Sequence, residues 1–131
     1  MKDDVTILIA EDDTGHFILT KRHLSEAGLS NRIVHLPDGQ VTIDYLENNC
    51  TNGNWKKNKH LLLLDIRMPK LDGIEILEKM KKHPELKNIP VIIVTTSDNP
   101  ANTLKCSQLG CDGYIIKPLG EKFIKVIKRM I

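Results

Sequence analysis

The chain has 131 residues, enough for one domain with a real core and too few for two. It is 40% hydrophobic and 27% charged, and no apolar run approaches the roughly 18 residues of a membrane-spanning helix. A formal net charge of +2 is close to balance and does not by itself imply a nucleic-acid partner. Three cysteines (Cys50, Cys106, Cys111) form an odd set without metal-type spacing, which fits incidental thiols in a reducing cytoplasm. The five histidines (16, 23, 35, 60, 83) show no ligand spacing with cysteine or carboxylate, so no metal–histidine site is expected. The start, MKDD followed by six apolar or small residues and then an acidic cluster, does not read as a targeting segment.

Residues 5–10, VTILIA, are short, apolar and β-branched, and predict a first strand that ends at Glu11-Asp12-Asp13. A helix is expected over 16–27, with Phe17, Ile18, Leu19, Leu24 and Ala27 as its apolar stripe and Gly28 as its stop. RIVHL (32–36) predicts a second strand. Pro37-Asp38-Gly39 then turns into a helix over roughly 39–48, with Val41, Ile43, Tyr45 and Leu46 inward. The polar, turn-rich stretch 48–59 reads as a long surface loop carrying Lys56, Lys57 and Lys59, with Trp55 packed back onto the domain.

Four leucines, 61–64, run straight into Asp65, and Pro69 and Gly73 follow in a polar turn. An unbroken apolar run bounded by turn residues fits a strand buried on both faces of a parallel sheet. The helix expected over 73–82 carries Ile74, Ile76, Leu77 and Met80 and ends in Lys79, Lys81 and Lys82, which suits the helix dipole. IPVIIVT (89–95) predicts a fourth strand, followed by a weak, polar helix over 99–109. YIIKP (114–118) predicts a fifth strand, and 121–131 an amphipathic helix with Phe123, Ile124, Ile127 and Met130 or Ile131 inward. Five βα repeats imply an α/β fold, a parallel sheet covered by helices on both sides, in one domain spanning 1–131 with no output domain expected.

In open α/β sheets, ligands bind beyond the carboxyl ends of the strands. There the strands deliver Glu11 and Asp12, Asp65, Thr95 and Lys117, while the second contributes nothing similar. Two carboxylates about 5 Å apart repel by roughly 3 kcal/mol at an effective dielectric of 20. A divalent cation and the lysine would make such a cluster tolerable. All-oxygen ligands with open positions suit Mg²⁺. Asp65 is then the natural nucleophile toward a phosphoryl group, with Lys117 as counter-charge and Thr95 as hydroxyl donor. Taken singly, these residues have plainer roles: a helix cap, a strand end, a solvated amine.

ILIAEDD, LLLLDIRMPKLDG, IPVIIVTTS and GYIIKP, in that order, resemble the receiver domain of two-component response regulators over essentially the whole chain. The resemblance implies a (βα)₅ doubly wound sheet of flavodoxin-like order 2-1-3-4-5. It implies that Asp65 is the phosphoacceptor, that Asp12, Glu11 and the Arg67 backbone carbonyl help to hold Mg²⁺, and that Lys117 contacts the phosphoryl group. Thr95 and Tyr114 would form the switch, the Lys117–Pro118 peptide would be cis, and the domain would catalyse its own phosphorylation and slow dephosphorylation. The donor would be a sensor histidine kinase or phosphotransfer protein. The readout or homodimer surface would be the fourth helix, fifth strand and fifth helix, whose charges (Lys105, Glu121, Lys122, Lys125, Lys128, Arg129) also fit a solvated face. Thr95-Thr96-Ser97 and the long loop before the third strand look most like stand-alone receivers that serve bacterial phytochrome-type kinases. Arg67 is expected to reach the phosphoryl oxygens and lengthen the phosphoryl lifetime.

Other readings fit less well. A flavin or nucleotide module needs a Gly- or Ser/Thr-rich phosphate loop after the first strand, where EDDTG stands instead. An aspartate-nucleophile phosphatase wants an acid two residues past the nucleophile, and residue 67 is arginine. A nucleic-acid binder would rest only on the basic loop 56–60 and the last helix. A receiver that no longer takes phosphate would lack one of the required residues, and all are present.

Overall fold

The computed structural model describes residues 4–53 and 59–131. Five strands, β1 (Thr6–Ala10), β2 (Ile33–Leu36), β3 (His60–Leu64), β4 (Val91–Thr95) and β5 (Gly113–Ile116), form one sheet in the order β2-β1-β3-β4-β5. All neighbouring pairs are parallel. The helices are α1 (Thr14–Glu26), α2 (Gly39–Asn49), α3 (Gly73–Lys82), α4 (Pro100–Gln108) and α5 (Glu121–Met130), with a short 3₁₀ turn at Leu86–Asn88 that the sequence pattern does not predict. This is the doubly wound, flavodoxin-like order that the resemblance implies.

Alternation along the central strands builds two cores. Leu8, Ala10, Leu62, Leu64, Val91 and Ile93 face Ile43 and Leu46 of α2, Ile76, Leu77 and Met80 of α3, and Cys106 of α4. Ile7, Ile9, Leu61, Leu63, Ile92 and Val94 face Leu24 of α1 and Phe123 and Ile127 of α5. Every residue of β3 and β4 is buried, as the unbroken leucine run implies.

Two helix faces differ from their expected stripes. On α1, Ile18 and Leu19 are 50% and 49% exposed, and the inward positions are Phe17, Thr20 and Leu24. At 3.6 residues per turn, positions 18 and 19 cannot share a face with 17, 20 and 24. On α2, Val41 is exposed and Thr42 is buried in its place. Both buried threonines satisfy their hydroxyls on the carbonyl four residues back, Thr20 on His16 at 2.9 Å and Thr42 on Asp38 at 2.8 Å.

From Cys50 to Gly53 the chain after α2 is more anchored than a surface loop. Cys50 and Thr51 are buried, and the Glu85 carboxylate accepts from the backbone N–H groups of Asn52 (2.9 Å) and Gly53 (2.8 Å). Trp55, Lys56 and Lys57 lie outside the described residues. Burial pushes the Cys50 and Cys106 thiols up to about 11, so both stay protonated and unreactive at neutral pH. Among the described residues, no helix is long and apolar enough to cross a membrane.

Candidate functional site

Strand register sets the site. Ala10 pairs with Leu64, so the next residues, Glu11 and Asp65, emerge side by side, and the Asp65 N–H donates to the Ala10 carbonyl at 3.1 Å. Leu64 also pairs with Ile93, which puts Thr95 just beyond the level of Asp65 on the adjacent strand. The Lys117 N–H donates to the Thr95 carbonyl at 2.8 Å and ties the start of the β5–α5 loop to the end of β4.

The acidic triplet divides its labour. Asp13 caps α1, accepting from the His16 N–H at 2.9 Å, and that bond holds its carboxyl below the usual range. Glu11 and Asp12 are left for the pocket. Carboxylate oxygens of Glu11, Asp12 and Asp65 all lie within 4.8 Å of one another, with Glu11 and Asp65 buried and Asp12 exposed. The Lys117 ammonium donates to Glu11 and lies 3.4 Å from an Asp65 oxygen. Burial pushes the Glu11 carboxyl above its ordinary range; the Lys117 hydrogen bond opposes this, and the charge of Asp65 adds to it. Three carboxylates against one ammonium leave two negative charges to neutralise, and the donors are all hard oxygens. The residues therefore fit a divalent cation.

The loop after β3 is shaped by close approach. The Arg67 N–H donates to Asp65 at 3.2 Å, and the Gly73 N–H donates to the Ile66 carbonyl at 2.8 Å. A Cβ on Gly73 would strike the Asp65 carbonyl and stand 2.8 Å from the Ile66 Cα, so only glycine lets α3 begin this close to the aspartate. The Arg67 side chain is exposed.

Thr95 is fully buried and its hydroxyl accepts from the Ser97 N–H at 3.3 Å. Ser97 is a hub. Its carbonyl accepts from the Tyr114 hydroxyl at 2.9 Å, and its own hydroxyl accepts from Asn102 of α4 at 2.8 Å. The Lys117–Pro118 peptide is cis.

Two histidines join this neighbourhood that sequence spacing did not single out. His35, on β2, stacks on Phe17 with ring centroids 3.8 Å apart, and its Nε2 lies 2.7 Å from the Glu11 carbonyl oxygen. The edge strand thus does contribute to the site, by holding the β1–α1 turn. His16, in the first turn of α1, puts Nδ1 at 3.1 Å from the Lys117 ammonium. Its signal was positional: the first turn after an acidic strand end necessarily overhangs the pocket.

Residues 7–128 match the family model described as response regulator receiver domain. The chain belongs to that family. Receivers are the phosphoacceptors of phosphorelay signalling, and their partners are histidine kinases or phosphotransfer proteins. This receiver is 34% identical to the probable methanogenesis regulatory protein FilR2 of Methanothrix harundinacea over 124 residues, 95% of this chain and 79% of that protein. It is 32% identical to the response regulator Rcp1 of Synechocystis over 111 residues, 85% of this chain and 75% of Rcp1. A solved Mn²⁺-bound form of Rcp1 superposes on this receiver with a TM-score of 0.74 at 29% identity, covering 95% of this chain and 87% of that one. The phosphorylated cyanobacterial phytochrome response regulator RcpA gives a TM-score of 0.76 at 28% identity, covering 95% and 89%.

Proposed function

We propose that this receiver is a cytoplasmic phosphorelay switch in which Asp65 accepts a phosphoryl group from the phosphohistidine of a sensor kinase or phosphotransfer protein. The observation that carries the reading is the convergence of Glu11, Asp12 and Asp65 oxygens within 4.8 Å, beside the ammonium of Lys117. An Asp65 carboxylate oxygen attacks phosphorus, the P–N bond to the imidazole breaks, and the ring nitrogen keeps the electron pair. Glu11, Asp12, Asp65 and the Arg67 carbonyl are the residues that would hold Mg²⁺. Bound there, the cation neutralises charge on the transferring oxygens. Lys117 binds a phosphoryl oxygen from the other side.

The new group brings nearly two negative charges and three acceptors. Thr95 leaves Ser97 to donate to one of those oxygens, and the Ser97 carbonyl moves with Tyr114 attached. The link from Ser97 to Asn102 carries the shift into α4. The α4–β5–α5 surface then changes its fit for a partner or a second copy; exposed Leu104 and Ile116 support that use. Similarity to phytochrome response regulators favours a phytochrome-type kinase as donor. Arg67, exposed beside Asp65, would lengthen the lifetime of the phosphoryl group; Arg67→Ala losing phosphate no faster removes that part of the reading.

Incubation with Mg²⁺ and acetyl phosphate, read by intact mass, tests the core of it. One hydroxylamine-labile phosphoryl group is expected on the wild type and none on Asp65→Asn. Phosphate retained by the variant would sink the assignment.

A further inference from the structure

We propose that His16 is a positioning residue for Lys117, a role that rests on the phosphoacceptor reading of the site. The lysine ammonium has three protons and three acceptors around it: Glu11, Asp65 at 3.4 Å and His16 Nδ1 at 3.1 Å. An ammonium only donates, so Nδ1 is the acceptor and the ring proton sits on Nε2. The nearest Glu11 oxygen is 3.8 Å from Nδ1, beyond a hydrogen bond, which assigns that nitrogen to the lysine.

The geometry explains why a neutral third acceptor matters here. Two carboxylates compete for Lys117, and one of them, Glu11, is needed by the cation. In this structure the ammonium donates to Glu11, whose oxygen the cation would take over, and His16 is the neutral acceptor that then keeps the amine from swinging out of the pocket. With His16 in place, the ammonium is held on the α1 side of the pocket and reaches Asp65 by a small rotation. The ring stands where a cleft of about 300 Å³, also lined by Leu19, Thr96 and Pro118, opens onto Lys117. It is 40% exposed, and the local links of residue 16, its N–H to Asp13 and its carbonyl from Thr20, are backbone groups that survive substitution.

Three variants test the atom rather than the bulk. Asn places an acceptor where Nδ1 is, Gln places one where Nε2 is, and Ala places none. His16→Ala and His16→Gln should slow phosphorylation by acetyl phosphate about tenfold, with His16→Asn recovering most of the loss, as expected for a partner that orients a reacting group. Nitrogen NMR of the metal-free protein at mildly alkaline pH gives a second readout. The Nδ1 resonance should be that of an unprotonated, hydrogen-bonded acceptor, and it should move toward free imidazole in Lys117→Met. A protonated Nδ1, a resonance indifferent to Lys117→Met, or normal rates in His16→Ala would overturn the proposal alone. Absence of phosphorylation in the wild type would overturn the phosphoacceptor reading and this one with it.

Discussion

Helices α3 and α4 each follow a strand that delivers a site residue, yet they are built very differently. α3 follows Asp65, buries Gly73, Ile76, Leu77 and Met80, opens with a reciprocal Asp72–Glu75 capping box, and ends in three lysines. α4 follows Thr95, buries only Cys106, and exposes Leu104 at 60%. Its start rests on one Asn99 side-chain bond and a proline at the first position. The loop bearing the nucleophile is thus clamped to the core, and the loop bearing the hydroxyl leads into a lightly held helix. A switch needs one part that stays and one that can yield at low cost, and low burial is what makes yielding cheap.

The contrast can be broken most directly in the core. Leu77→Ala should cost about 2–5 kcal/mol, because its side chain is fully buried. Leu104→Ala should stay within about 0.5 kcal/mol. Equal losses in urea melts would end the comparison. Gly73→Ala is next, at about 1–3 kcal/mol, since the added methyl must displace the Asp65 carbonyl; unchanged stability would mean that the β3–α3 turn is slacker than its close approaches imply. Removing the caps is a smaller perturbation. Asp72→Ala should lose about 1 kcal/mol, and Asn99→Ala nearer 0.5 kcal/mol. Hydrogen exchange sharpens the same point without mutation: α4 amides should exchange through openings of lower free energy than those of α3, and matching protection would contradict it.

The smallest expected effect is electrostatic. Burial raises the Glu11 carboxyl in the folded metal-free protein above its ordinary 4.5, so the folded state binds that proton more tightly than the unfolded chain. The stability it contributes is full below 4.5 and is lost as pH rises through the folded value. Glu11→Gln should therefore gain on the wild type as pH rises from about 4 to 7, measured by urea midpoints without metal. A variant that loses ground to the wild type over that range would reverse the sign. Adding Mg²⁺ to the wild type should raise its midpoint more at the upper end, where the cation meets no competing proton.

Much of this is legible in the sequence. Period-two burial, the leucine run, and the carboxylate, hydroxyl and amine at strand ends placed the sheet and named Glu11, Asp12 and Asp65, whose oxygens do converge, with Lys117 beside them. The departures have local causes. Hydrophobicity alone points to Ile18, Leu19 and Val41 for the buried faces, whereas Thr20 and Thr42 are buried with their hydroxyls on the carbonyl four residues back. Spacing along the chain does not reveal His16 and His35, because their partners are remote in sequence, at Lys117 and at the Glu11 carbonyl.

By itself the sequence determined the repeating βα order, the parallel sheet and the chemical kinds at its rim, because periodicity and strand termini are local properties. Only the tertiary structure decided that Asp13 leaves the acidic cluster to cap α1 while Glu11 stays, and that Lys117 has a histidine as well as two carboxylates around it. Those outcomes depend on how far α1 overhangs the sheet and how closely Gly73 lets α3 approach Asp65. Such distances are set by the packing of elements remote in sequence.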